Sequence, residues 1–209
     1  PLAVYVAALF SAAYFAASWQ FNGPGYLNDE VGYLLNAAAL TGDRIDGASS
    51  YHFGYSLLIA PAFIFADDPA VIWRIVQALN AIMLGSSLVV LDAIARRLVP
   101  DARPMTRLAA VALCGLSPIA VVMAGYSFAS PAFVLVYALS ILTLIDGRRR
   151  MIVAHGVLVG FLFWVHPTAA GAAVASMAAL ALLAIRTGAW GAAICAVVLE
   201  VAAILSYRL

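Results

Sequence analysis

Residues 168–185 read TAAGAAVASMAALALLAI, and Arg186 is the first charged side chain after them. A helix rises about 1.5 Å per residue, so this run reaches most of the way across the ~30 Å hydrocarbon layer of a bilayer. An amphipathic surface helix would keep one polar face. This stretch is apolar all round, which selects lipid as its solvent rather than water.

The rest of the chain follows the same pattern. Of its 209 residues, 66% are apolar and 10% are charged, with a mean hydropathy of +1.03. Soluble domains carry roughly a quarter charged residues. Seven apolar runs emerge: Leu2–Ser18, Ala70–Ala95, Met105–Ala124, Ser130–Ile145, Met151–Val165, Thr168–Ile185 and Ala189–Tyr207. Breaks fall at Pro100, Pro104, Gly125, Gly147, Pro167 and Gly188, residues that punctuate helices. The expected fold is all-α: one polytopic membrane bundle of about seven spans, rich in the alanine and glycine that let helix backbones approach.

Charge placement orients the bundle. There is no lysine, and all eleven basic residues are arginine. Arg96, Arg97, Arg103, Arg107, Arg148, Arg149, Arg150 and Arg186 occupy alternate connections, whereas the others hold only Arg44, Arg74 and Arg208. Arginine excess marks the cytoplasmic side. Seven spans with a cytoplasmic N-terminus satisfy that bias at every loop and predict a multi-pass protein of the cell membrane. Without a basic face away from the span ends, nucleic-acid binding is not expected. Cys114 and Cys195 sit inside apolar runs and form no disulfide or metal-ligand pattern. The first run has no recognisable cleavage site after it, which disfavours a signal peptide. A chain opening on Pro1 and stopping beside an apolar run at Leu209 is read as a piece of a longer protein, with a C-terminal part of the same protein as a missing partner.

The long connection, 19–69, lies outside the cytoplasm in this topology and holds Asp29, Glu30, Asp43, Asp46, Asp67 and Asp68. Connections of this length are usually functional or disordered. This one is too aromatic for disorder, with Trp19, Phe21, Tyr26, Tyr33, Tyr51, Phe53 and Tyr55. Residues 31–40 and 55–65 read as short interfacial helices.

Within the loop, Tyr26-Leu-Asn-Asp29-Glu30-Val-Gly-Tyr33 places two adjacent carboxylates at the start of a helix. A partly desolvated carboxylate serves as a general base. Neighbours on a helix point about 100° apart, so one of the pair faces a site while the other holds a neighbour in place. The plainer reading makes Asn28 or Asp29 an N-cap. The pair could ligate a divalent metal, as a weak site, because two carboxylates alone supply few of the ligands such an ion takes.

A first apolar run followed by an Asp-Glu pair, Tyr33 and Leu34-Leu35-Asn36-Ala37 resembles the glycosyltransferase-C superfamily, and in particular its protein-mannosyltransferase and lipid A aminoarabinose-transferase type. Tyr51-His52-Phe53-Gly54-Tyr55-Ser56-Leu57-Leu58 and Pro61 look similar to that family's next patch. The resemblance implies a seven-helix N-terminal membrane module. It also implies transfer of a sugar from a polyprenyl-phosphate donor to an acceptor on the outer face. Asp29 would activate or position the acceptor, with Glu30 beside it.

Arg74 is the arginine best placed to meet a departing lipid phosphate, because it lies on the less basic side. Its alternatives are an ion pair with Asp67 or Asp68, or snorkelling to the interface. His52, Tyr55, Tyr126 and His166 are expected on the same side and complete the candidate substrate-binding set. A histidine at a span end is otherwise a plain interfacial residue. His155 is expected near the cytoplasmic side, away from that site. Glu200, inside the last run, is costly there and marks a functional position by default. Asp92 is expected to pair with Arg96, four residues on. A transporter or a non-catalytic membrane scaffold is the competing reading. A scaffold has no use for the acidic, aromatic loop, and a transporter would carry its ionisable groups inside the bundle.

Overall fold

A computed structural model of the chain describes residues 2–25, 28–42 and 49–206. Tyr26, Asp43, Arg44, Asp46, Tyr207 and Arg208, named above, lie outside the described residues. Among the described residues there are helices and no strands. They are α1 (Leu2–Ser18), α2 (Asn28–Leu40), α3 (Phe53–Ile59), α4 (Pro61–Phe65), α5 (Pro69–Leu98), α6 (Pro104–Gly115), α7 (Pro118–Gly125), α8 (Ser130–Asp146), α9 (Arg149–Val165), α10 (Ala169–Thr187) and α11 (Trp190–Ser206).

Proline and glycine set the boundaries. Proline opens α4, α5, α6 and α7, where its missing N–H costs nothing. Asp68 completes the start of α5 by accepting the Ala70 N–H at 2.8 Å. Gly147 and Gly188 close α8 and α10 at φ of 68° and 71°, the left-handed region where glycine carries no steric penalty. Among the described residues two helices are long and apolar enough to cross a membrane: α5, of 30 residues, and α10, of 19 residues. The apolar run expected as one span at 105–124 is instead two helices, α6 and α7, bent by 56°. Pro118 supplies the reason, since it has no N–H to continue the ladder and its ring excludes the preceding turn. Counted together, α6 and α7 give a third candidate span; α1, α8, α11 and the α3–α4 pair are shorter apolar helices.

Helix α5 is the central post, with α1, α4, α6, α7 and α8 packed on it. A second group, α8 to α11, is built on α9. Gly156 of α9 lies so close to α11 that a Cβ there would stand 2.5 Å from the Cα and carbonyl oxygen of Ala196. At the basic end, Asp92 accepts from Arg96 at 2.5 and 2.8 Å and from Arg107 at 2.7 Å, tying α5 to α6. Asp146, at the end of α8, pairs with Arg97 and Arg148. The opposite end carries α2 and α3, which fold over the mouth of the bundle. There Tyr33, Ala37, Tyr55, Ile59, Ala62, Val76, Ala129, Ala132 and Val165 form one apolar cluster.

Candidate functional site

Backbone carbonyls left over at helix ends explain the polar residues of α5. The last turn of a helix has carbonyls without intrahelical partners. Here the ends of α1 and α7 are both buried against the N-terminal half of α5. Trp73, Gln77 and Asn80 stand on one stripe of α5, spaced four and three residues apart, and all are buried. The Trp73 indole donates to Phe21 O at 2.9 Å. The Gln77 amide donates to Ser18 O, Phe21 O and Gly125 O at 3.0, 3.0 and 3.3 Å. The Asn80 amide donates to Tyr126 O at 2.8 Å and accepts the Tyr55 hydroxyl at 2.9 Å.

Arg74 belongs to the same structure. Its guanidinium donates to Trp19 O, Phe21 O, Gln77 Oε1 and Asn22 Oδ1 at 2.8–3.2 Å and lies 4.2 Å from the centre of the Trp19 ring. It makes no ion pair among the described residues, so Asp67 and Asp68 are not its partners. Its partners are neutral carbonyls and a ring face, so no carboxylate offsets it among the described residues.

Glu30 is completely buried in the first turn of α2. One carboxylate oxygen accepts the Gly25 N–H at 2.7 Å and the other accepts the Ser127 N–H at 2.9 Å. It therefore clamps the 19–25 segment and the 125–129 turn onto α2. Tyr126 sits between them, its ring 4.7 Å from Phe21. Burial pushes the Tyr55 phenol well above its ordinary value, and the Glu30 charge adds to that. Tyr55 is thus held protonated, as its donation to Asn80 requires.

Asp29 takes the other direction. It is half-buried and hydrogen-bonds the Tyr51 phenol, which that bond pushes above its ordinary value. Tyr51 is itself fixed by Asn36, whose amide donates to Tyr51 O at 3.0 Å and accepts the Ser49 N–H at 2.8 Å. The Tyr51, Tyr33 and Tyr55 rings follow one another at 5.7 and 5.1 Å.

The histidines complete the far side. Gly54 packs flat on the end of α9, where a Cβ would meet the Trp164 carbonyl at 2.8–2.9 Å. That contact seats His52, whose Nδ1 donates to Phe163 O at 2.7 Å. Burial lowers the His52 pKa, opposed by the Phe163 carbonyl and reinforced by nearby His166. His166 is held by Thr168, with Nδ1 2.9 Å from Thr168 Oγ1 and 3.3 Å from its N–H.

The candidate residues therefore fall into two groups at one end of the bundle. Glu30, Tyr55, Tyr126 and Arg74 share the α5 network, and His52 and His166 meet at the C-terminal end of α9, with Asp29, in the first turn of α2, beside Tyr51. Gln77, Asn80, Trp73 and Tyr51 were not singled out from the sequence as site residues. A Gln and an Asn three residues apart in an apolar helix were the available signal. For a divalent ion, the Asp-Glu pair is poorly suited. Both Glu30 oxygens are engaged by N–H groups, and no group of three His, Cys, Asp or Glu side chains gathers among the described residues. His155 and Glu200 form a separate buried cluster. No family model, curated protein or solved structure matches the chain.

Proposed function

We propose that the chain is a membrane glycosyltransferase module of the glycosyltransferase-C kind, moving a sugar from a polyprenyl phosphate to an acceptor hydroxyl at the outer face. In this reading the seven spans would be α1, α5, the bent α6–α7 pair, α8, α9, α10 and α11. Interfacial α2 and α3 lie over their outer end. The observation that carries this reading is the division of labour in the acidic pair. Glu30 is consumed in holding backbone, whereas Asp29, one residue away, is left half-exposed on a framework fixed by Asn36 and Tyr51.

In the reaction, the acceptor oxygen bonds to the anomeric carbon as the carbon–oxygen bond to the lipid phosphate breaks. The acceptor proton goes to the Asp29 carboxylate, and the polyprenyl phosphate leaves with the electron pair. Arg74 is the cation that meets the phosphate at the headgroup level, stacked on Trp19 as interfacial aromatic and basic side chains commonly are. The test is sugar transfer from polyprenyl-phosphate donors by the membrane-embedded protein and by Asp29→Asn. Removing a general base slows turnover by ~100- to 10,000-fold, with thermal stability retained. Unchanged turnover in Asp29→Asn removes Asp29 from the chemistry.

A further inference from the structure

Away from the loop end, α8 to α11 bury a chain of polar groups. His155 Nδ1 is 2.8 Å from Ser140 O, and His155 Nε2 is 2.7 Å from Ser176 Oγ. Ser176 Oγ is in turn 2.6 Å from Glu200 Oε1. His155 is 3% exposed, Ser176 4% and Glu200 0%, and the second oxygen of Glu200, Oε2, is buried with no hydrogen-bond partner. Close packing of Gly156 on Ala196 brings α11 in, and Glu200 stands one turn beyond Ala196.

The roles along this chain follow from what each atom can do. A carbonyl only accepts, so Nδ1 donates to Ser140. Two complete arrangements remain. In the first, Glu200 is protonated and donates to Ser176, whose hydroxyl donates to Nε2 of a neutral imidazole. In the second, an imidazolium donates from Nε2 to Ser176, whose hydroxyl donates to an ionised Glu200. Both have the same net charge and keep the three links Nδ1–Ser140, Nε2–Ser176 and Ser176–Oε1, while Oε2 stays without a partner. They interconvert when the Glu200 O–H bond breaks and a serine O–H forms, while the original serine O–H breaks and an imidazole N–H forms. Withdrawing the shared proton altogether would leave a carboxylate in an apolar bundle with one oxygen unpaired, which is strongly unfavourable.

We propose that His155, Ser176 and Glu200 are a binding site for a single hydrogen ion inside the helix bundle, a relay that moves the proton between α9 and α11 through the Ser176 hydroxyl. The other titratable groups on the surrounding helices stand apart. On α8 these are Tyr137, on an exposed face, and Asp146, at the helix end; on α9, Arg149 and Arg150 at the start; on α10, Arg186 in the last turn; and on α11, Cys195, exposed. On α3, which also packs on α9, Tyr55 is bonded to Asn80. A groove of about 240 Å3 between α8 and α10 comes within one turn of Ser140 and Ser176, at Leu144 and Ala179, and runs to Arg186. This inference is independent of the transferase reading.

The experiment is a pH titration of the protein in lipid nanodiscs, with the Glu200 carboxyl followed by infrared spectroscopy and the His155 ring nitrogens by NMR. Wild type is expected to show both groups changing at one shared midpoint. In Ser176→Ala that midpoint splits into two, and in Glu200→Gln His155 is left as a lone imidazole whose midpoint shifts from the wild-type value. Independent midpoints in wild type, or a His155 signal indifferent to Glu200→Gln, would overturn the proposal. The wild-type titration decides the matter even if a variant fails to fold.

Discussion

Among the described residues two carboxylates are completely buried, Glu30 and Glu200, and they are buried in opposite ways. Both oxygens of Glu30 accept backbone N–H groups, from Gly25 and Ser127. Glu200 touches a single serine hydroxyl through one oxygen, and its other oxygen has no hydrogen-bond partner. A backbone N–H can only donate, so Glu30 is locked as an acceptor and acts as a clamp. A hydroxyl and an imidazole both donate and accept, so Glu200 sits at the end of a chain that can rearrange its protons. The same residue type thus fixes geometry at the loop end and stores a proton in the bundle interior.

The comparison breaks most visibly at Glu30. Glu30→Ala leaves the buried Ser127 N–H without an acceptor and releases the part-buried Gly25 N–H, so a loss of roughly 2–4 kcal/mol in unfolding free energy is expected. A denaturation midpoint within error of wild type would mean that Glu30 clamps nothing. Amide substitutions sharpen the contrast. Glu30→Gln sets an amide NH2 against an N–H donor and is expected to cost about 1–3 kcal/mol. Glu200→Gln meets a hydroxyl that both donates and accepts, so the Ser176 link survives, and a smaller cost than at Glu30, about 1 kcal/mol for an amide N–H left without an acceptor, is expected. Equal costs at the two positions would erase the distinction.

Gly54 tests the seating of the loop. A methyl group there meets the Trp164 backbone, and overpacking of this kind costs about 1–3 kcal/mol. Gly54→Ala is expected to disturb the His52–Phe163 bond while leaving the His155–Ser176–Glu200 titration unchanged. The smallest effect concerns His52. Burial keeps its pKa below the ordinary 6.5, so the unfolded chain takes up a proton before the folded one does. Stability contributed here is complete above 6.5, declines as the pH falls toward the depressed value, and then levels off. In His52→Gln that part of the acid-side decline should vanish; an unchanged profile would assign it to other groups.

The helical composition was legible from the apolar runs, because lipid solvation demands them and little else produces them. The break between α6 and α7 was not, although Pro118 was in view: counting apolar residues rewards the run and is blind to one missing N–H. Asp29 and Glu30 were legible as a pair, and their opposite directions follow from helical geometry. Which of them turns inward was not, because the choice depends on Ser127, a partner 97 residues away. Arg74 offers the same lesson. Its nearest acids in sequence, Asp67 and Asp68, suggested an ion pair, but the carbonyls that it bonds come from Trp19 and Phe21, more than fifty residues back. Glu200 stood out at once as a charge in an apolar run, whereas its link to His155 through Ser176 appears only when three helices are packed.

Everything at the loop end depends on which side of the membrane it faces. Sidedness is measured directly by placing single cysteines at the exposed positions Asp67 and Asp101, in a background where Cys114 and Cys195 are alanine, and labelling intact cells with a membrane-impermeant maleimide. Asp67→Cys is expected to label from outside and Asp101→Cys only after permeabilisation. The reverse pattern would place Asp29 on the cytoplasmic face and contradict the assignment of an outer-face transferase.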